Sequence, residues 1–524
     1  MSFFNLSTVG SNKTMNSANG SAYKQTPKKE LFNLVVNSFG YDGFYESSTE
    51  RFKRLEELVC KCDPEYVAKL AVYTRTKMHM RTMPMAMLVL LAKHFSGSQF
   101  IRLATRNTIT RADELSEVLA AYQAINGRSG IKKLNKLNNG LRRGIADAFY
   151  KFDEYQFGKY KNSSKDVSLK DAYFVSHPKP RNDQDRELFG KIINDSLEIP
   201  FTWETQLSEI GQKDISDEEK CKQRVALWEK LIFTRKIGYM ALLRNLRNII
   251  KDGVDDGVIN TIVDIIQDPD QVKKSKQLPF RFFSAYVSLK EYFDEISSDN
   301  KSITTISLGG KSRRTNIFNK LADALEKAAM CAVSNIPGFE NERERILIAC
   351  DVSGSMETKI SSKSDITYKI VGLLMSLLVY KARKDSSYIL FADTIGSCEN
   401  MEGINVLECV DRLRNFKELG YGTRGYKVVE YILQNQISYD KVMFFTDMQL
   451  YGPDISKIWN LYLHHVNKEC KAIIFNLAGY GCPFINDGNN CVTVGGLAEN
   501  AFKLLYAVEN GEKLMSEIES VELK

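Results

Sequence analysis

Two textures divide the chain. From about Lys29 to Ala332 apolar residues recur every three or four positions, the period of helices that bury one face. Asp63-Pro64-Glu65 reads as a helix start: Asp caps, Pro takes the first helical position, and Glu sits at the positive end of the dipole. Val67, Leu70, Ala71 and Thr74 follow at helical spacing. Pro84 opens a second start, followed by Met85, Leu88, Val89, Leu91 and Ala92. The same spacing predicts amphipathic helices over 112–124, 141–149, 225–234, 237–250, 257–266 and 280–293. Such helical hairpins must stack to bury their faces, which predicts an all-α array of HEAT-like repeats, although no fixed period shows. Met78, Met80, Met83, Met85 and Met87 read as adaptable core within it.

After Gly338 the pattern changes. Strand-like runs alternate with helices over 345–350, 365–384, 388–391, 426–434, 442–446, 471–477 and 498–508. This β-α-β alternation predicts an α/β, doubly wound (Rossmann-like) parallel sheet with ligands at the carboxyl ends of its strands. Pro337-Gly338 breaks the preceding helix and places the boundary within 335–344. The expected organisation is therefore multidomain: a flexible arm over 1–20, a helical-repeat domain over 21–338, and an α/β domain over 339–524.

Composition excludes several classes. The chain of 524 residues is 43% hydrophobic and 26% charged, as soluble globular proteins are. It has no run of 18 apolar residues, and its first 29 positions are polar, so neither a membrane span nor a secretory signal is expected. Ten cysteines lie without a C-x-x-C pair and five histidines without metal-ligand spacing. This argues against a disulfide framework and against zinc, and points to a cytoplasmic protein. Charge is unevenly spread. From Asn341 onward 20 basic residues face 24 acidic ones, while the first 340 residues hold 52 against 41. Between Arg128 and Arg181 the ratio is 13 to five. Such asymmetry suits a polyanionic partner; the competing reading is a solvated helical face.

The most informative string is Ile346-Leu347-Ile348-Ala349-Cys350-Asp351-Val352-Ser353-Gly354-Ser355. A buried strand ends in an acid followed by two hydroxyls at alternate positions. These hard oxygens suit Mg²⁺ or another divalent cation better than zinc. The spacing resembles the metal-ion-dependent adhesion site of von Willebrand factor A domains. That resemblance implies two more ligands, Thr423 in Gly420-Tyr421-Gly422-Thr423 and Asp447 at the end of Val442-Met443-Phe444-Phe445-Thr446. It leaves the sixth position to water or an acidic group. The competing reading, that Ser353 and Ser355 merely cap the next helix, covers two of the five residues. Arg424 departs from the family pattern and is expected to compete with metal or to pair with Asp447.

Other strings resemble the TROVE module of the Ro ribonucleoprotein autoantigen family. They are Asn19-Gly20-Ser21-Ala22-Tyr23 leading to Glu30-Leu31-Phe32-Asn33-Leu34, and Ser168-Leu169-Lys170-Asp171-Ala172-Tyr173-Phe174-Val175-Ser176-His177-Pro178-Lys179-Pro180. Ile237-Gly238-Tyr239-Met240-Ala241-Leu242-Leu243-Arg244-Asn245-Leu246 and Leu278-Pro279-Phe280-Arg281 complete the set. The resemblance implies a monomeric helical-repeat ring clasped by the A-type domain. It implies small structured Y-like RNA on an outer basic surface, and the single-stranded 3′ ends of misfolded RNA in a central hole. An exoribonuclease is an implied partner; no membrane is. The RNA-binding candidates are Arg142, Arg143, Lys159, Lys161, Lys165, Lys170, His177, Lys179, Arg244 and Arg247, each set against ordinary solvated surface. For Arg244 and Arg247, one turn apart, the alternatives are lining the hole or binding an acid of the neighbouring repeat. No H-x-x-x-H, G-x-S-x-G or Walker string occurs, so no enzyme is expected. The second functional reading is a protein-binding scaffold whose metal grips a partner carboxylate.

Overall fold

The computed structural model describes residues 13–37, 47–128, 134–160, 166–277, 279–298, 311–334, 344–360, 365–383, 385–397, 404–486, 490–496 and 515–523. The described residues begin with an antiparallel hairpin, β1 (Lys13–Met15) and β2 (Ser21–Tyr23), whose first strand falls within the segment expected as an arm. Helices follow: α1 (Pro27–Val36), α2 (Ser48–Lys61), α3 (Pro64–Thr76), α4 (Thr82–His94), α5 (Phe100–Thr108) and α6 (Glu114–Ile125). The run continues with α7 (Asn139–Phe149), α8 (Glu154–Lys159), α9 (Leu169–Ser176), α10 (Asp183–Ile193), α11 (Trp203–Gln212) and α12 (Asp217–Phe233). It ends with α13 (Tyr239–Asp252), α14 (Asp256–Gln267), α15 (Pro269–Ser275), α16 (Pro279–Ser298) and α17 (Lys311–Ser334).

Local chemistry explains where these helices start. Asp63 caps α3 by accepting from the Glu65 amide, with Pro64 in the first turn. α4 begins at Thr82, two residues before the expected start, because Pro84 fits inside a first turn whose amides lack intrahelical partners anyway. α12 starts eight residues before the apolar pattern does. Ser216 caps it, and Asp217, Glu218 and Glu219 load its first turn, so its exposed beginning carries no hydrophobic period. Met83, Met85 and Met87 are buried as core.

The C-terminal sheet has the order β5-β4-β3-β6-β7-β8, from β3 (Ile346–Asp351), β4 (Ser386–Phe391), β5 (Ile395–Ser397), β6 (Lys441–Thr446), β7 (Lys471–Asn476) and β8 (Cys491–Gly495). All neighbours run parallel except β5, an antiparallel edge on β4. β3 and β6 are buried along their whole length, as central parallel strands are. α18 (Tyr368–Ala382) packs on β3 and β6, while α19 (Val406–Leu413), α20 (Tyr426–Gln434) and α21 (Ile455–His465) complete the helices of the sheet. A core of Phe391, Phe444, Trp459, Tyr462 and Phe484 lies under α20 and α21. Neither β5 nor β8 stands out as an apolar run; the helix expected over 498–508 lies outside the described residues.

The chain divides into two compact units. One comprises Met1–Leu55, Leu278–Phe280 and Ala332–Leu514; the other comprises Glu56–Gln277, Arg281–Cys331 and Met515–Lys524. Within the first, the N-terminal residues pack against the sheet: the Tyr23 amide donates to the Pro483 carbonyl at 2.9 Å, and Asn37 Oδ1 accepts from the Gly496 amide at 2.9 Å. Within the second, the last short helix, α22 (Ser516–Glu519), packs on α3 with Ile518 fully buried. There the Tyr73 hydroxyl donates to Glu517 at 2.8 Å and Lys69 Nζ to the Glu519 carbonyl at 2.8 Å.

Candidate metal centre and nucleic-acid interface

Of the five expected metal ligands, Asp351, Ser353, Ser355 and Asp447 lie at or just beyond the carboxyl ends of β3 and β6, and backbone hydrogen bonds from Gly354 to Tyr421 and from Tyr451 to Thr423 tie in the loop of the fifth, Thr423. Asp351 closes β3, and Ser353 and Ser355 begin the 3₁₀ turn Gly354–Glu357 that follows. Thr423 lies in the loop before α20, and Asp447 directly follows β6. All five are between 0% and 4% exposed. The Ser353 and Ser355 hydroxyls are 3.3 Å apart. Asp351 Oδ1 accepts from the Ser353 amide at 2.9 Å, and its Oδ2 from the Thr446 hydroxyl at 2.6 Å. Asp447 uses one oxygen on the Gln449 amide; its Oδ2 is buried and has no hydrogen-bond partner within bonding geometry among the described residues. Burial, and the neighbouring Asp447 carboxylate second, push the Asp351 carboxyl well above the usual carboxylate range. Burial also raises that of Asp447. Two carboxylates and three hydroxyls, with an orphaned acidic oxygen and no Lys or Arg paired to either acid among the described residues, fit a hard divalent cation.

Arg424 pairs elsewhere than with Asp447. Its guanidinium sits 3.5 Å from Asp393 and donates to the Tyr451 hydroxyl at 3.3 Å, and no pairing with Asp447 is found among the described residues. Asp393 is a residue that sequence reasoning missed. One of its oxygens accepts the amides of Tyr421 and Gly422 at 3.0 Å each, and the other accepts the Tyr451 hydroxyl at 3.1 Å. The Gly422 amide foremost, with the Tyr451 hydroxyl and Arg424, holds its carboxyl below the usual range. Asp393 thereby clamps the loop that presents Thr423. Gly420 has φ +90, and a Cβ there or at Gly422 would run into the Asp393 carboxylate, so both glycines are required by the clamp. The available signal was a third apolar run, 388–392, ending in an acid.

The basic candidates fall on two parts of the helical unit. α7, α8, α9 and α10 meet around Phe149, whose ring lies 5.8 Å from Phe157, 6.0 Å from Tyr173 and 6.0 Å from Phe189. Arg142 and Arg143 ride on α7, Lys159 on α8 and Lys170 on α9. His177 caps α9 in the left-handed region at φ +51 and is exposed. The turn after it is fixed: the Tyr150 hydroxyl donates to the Lys179 carbonyl at 2.6 Å, and Arg181 stacks 3.9 Å over the Tyr150 ring. Among the described residues none of Arg142, Arg143, Lys159, Lys170 or Lys179 forms an ion pair, whereas Arg181 pairs with Asp185 and Lys191 with Glu154. Lys161 and Lys165 lie outside the described residues.

Two aromatic side chains of this region were also missed. Tyr155, with Lys159 Nζ 5.9 Å from its ring, is 53% exposed, and Phe174 is 46% exposed. Arg244 and Arg247 lie elsewhere, on α13. Arg247 reaches Glu295 of α16 at 3.5 Å, the acid-binding alternative, while Arg244 is exposed on the same helix as Arg247.

Comparison with known proteins adds three findings. A family profile described as the TROVE domain matches residues 5–222 and 194–334, and one described as the Ro60 vWA domain matches 345–506. Telomerase protein component 1 of Rattus norvegicus is 23% identical over 346 residues, 51% of this chain and 13% of that protein. Its Mus musculus counterpart is 22% identical over 313 residues, 45% of this chain and 11% of that protein, so the chain spans a small fraction of these relatives' length. The crystal structure of the Deinococcus radiodurans RO (RSR) protein aligns with a TM-score of 0.57 at 17% identity, over 93% of this chain and 100% of that one. At that identity the likeness is one of fold.

Proposed function

The chain belongs to the TROVE family and carries an Ro60-type A domain, and from that premise we propose that it is a non-enzymatic, Ro-type RNA-binding protein. The observation that carries this reading is the set of cations on α7, α8 and α9 that form no ion pair among the described residues, held around Phe149 next to the fixed turn at His177. Phosphates of an RNA backbone would supply most of the affinity there, and structured RNA would be read by shape.

The proposal extends to finer points that follow from the family. The bound species is a small Y-like RNA on this basic surface. Single-stranded 3′ ends of misfolded RNA enter the central hole of a monomeric helical-repeat ring. The ribonucleoprotein acts with an exoribonuclease in cytoplasmic RNA quality control or processing. Asp351, Ser353, Ser355, Thr423 and Asp447 would hold Mg²⁺, which when bound offers a Lewis-acidic docking point for an acidic group of a partner. No helix among the described residues is long and apolar enough to cross a membrane.

The second reading, a scaffold that binds only proteins, is supported by the same buried acids and hydroxyls. Purification from the native host separates the two. RNA that co-purifies and is released by high salt supports the RNA-binding reading; nucleic-acid-free protein that captures only polypeptides supports the scaffold.

A further inference from the structure

The hairpin near the N-terminus reaches the loop that carries Asp447. Asn16, buried in the turn between β1 and β2, uses both ends of its amide. Its Oδ1 accepts from the Ala18 amide at 3.0 Å and the Gly20 amide at 2.8 Å, which shapes the turn. Its Nδ2 donates to the Leu450 carbonyl at 2.7 Å and, more weakly, to the Met448 carbonyl at 3.4 Å. Gly20 presses against the same carbonyl so closely that a Cβ there would clash with it. Lys13 adds an ion pair to Asp454 beyond the loop.

The loop so gripped is unusual in its backbone. Met448, directly after Asp447, has φ +69 and is fully buried. A non-glycine residue persists in that region only where its surroundings hold it. The Thr446 hydroxyl accepts from the Met448 amide at 3.1 Å, and Asp447 Oδ1 accepts from the Gln449 amide at 3.0 Å, so the turn also aims the carboxylate. At the far end the Tyr451 amide donates to the Thr423 carbonyl at 3.1 Å, tying the loop to the other late ligand.

We propose that Asn16 is a positioning residue of the metal site, holding the Asp447–Tyr451 loop so that Asp447 and Thr423 face the cation together with Asp351, Ser353 and Ser355. This rests on the metal reading given above. Partners behind the direct ligands commonly change metal affinity by about 10–100-fold when removed.

The test is Mn²⁺ titration of the full chain, read by electron paramagnetic resonance, for wild type, Asp351→Ala and Asn16→Ser. Asn16→Ser keeps a side-chain oxygen that accepts from the turn amides, removes the donor to Leu450 and buries no charge. The expected result is tight binding by wild type, none by Asp351→Ala, and about tenfold weaker binding by Asn16→Ser. Its thermal midpoint in chelator should fall only slightly, and its Tyr451 amide should exchange faster. Equal Mn²⁺ affinity of Asn16→Ser and wild type overturns the inference alone. So does a loss of affinity matched by a general loss of stability in chelator. A wild type that takes up no Mn²⁺ overturns the metal reading and the inference with it.

Discussion

Asp351 and Asp447 lie side by side out of water, and neither is paired with a Lys or Arg among the described residues. Removing an ionised carboxylate from water costs several kcal/mol unless a positive charge compensates it. A cation site therefore destabilises the empty fold, and replacing one acid should relieve that cost. Asp447→Asn is expected to abolish Mg²⁺ and Mn²⁺ binding in calorimetric titration, while its unfolding midpoint in chelator equals or exceeds that of wild type. Retained tight binding would contradict the assignment. Four of the five expected ligands could be named because Asp351, Ser353, Ser355 and Asp447 sit at or just beyond apolar runs, whereas Thr423 rested on the family resemblance. Asp393 and Asn16 could not be named. Asp393 gains its role only when its own loop meets that of Thr423, 28 to 29 positions away for the amides it accepts. Asn16 binds carbonyls 432 and 434 positions along the chain, a relation that no local pattern encodes.

Among the elements, α8 and α9 combine exposed rings with cations that form no ion pair among the described residues: Tyr155 beside Lys159, and Phe174 on the helix of Lys170. Base stacking on an exposed ring is worth about 1–3 kcal/mol per base. Tyr155→Ala and Phe174→Ala should each weaken a structured RNA carrying unpaired nucleotides by roughly that amount in filter-binding measurements, and leave a blunt duplex nearly unaffected. Equal losses for both RNAs would assign the rings a merely structural part. Helix existence was readable from the 3.6-residue period, as α3, α13 and α14 show within two residues at each end. Boundaries failed where the driving force was not apolar, as in the acid-loaded first turn of α12. The short strands β1, β2, β5 and β8 escaped for a related reason: three to five residues carry too little alternation, and their pairing is decided by the partner strand.

For the whole molecule, net charge of +7 conceals a division between a basic first part and an acidic last part. A basic partner surface implies that RNA binding is driven by counterion release, with affinity falling linearly in logarithmic coordinates as salt rises. The family match and the fold likeness agree with that division, since the TROVE match covers the basic part and the A-domain match the acidic one. The most direct measurement is the equilibrium affinity of the full chain for a small structured RNA between 50 and 200 mM salt, for wild type and for Lys159→Glu/Lys170→Glu/His177→Glu. If six or more phosphates are contacted, wild-type affinity should fall by about 10³-fold or more over that range. The triple variant should bind far more weakly, with a shallower salt slope and unchanged Mn²⁺ uptake. Wild-type binding that ignores salt, or a triple variant that binds RNA as wild type does, would contradict the account.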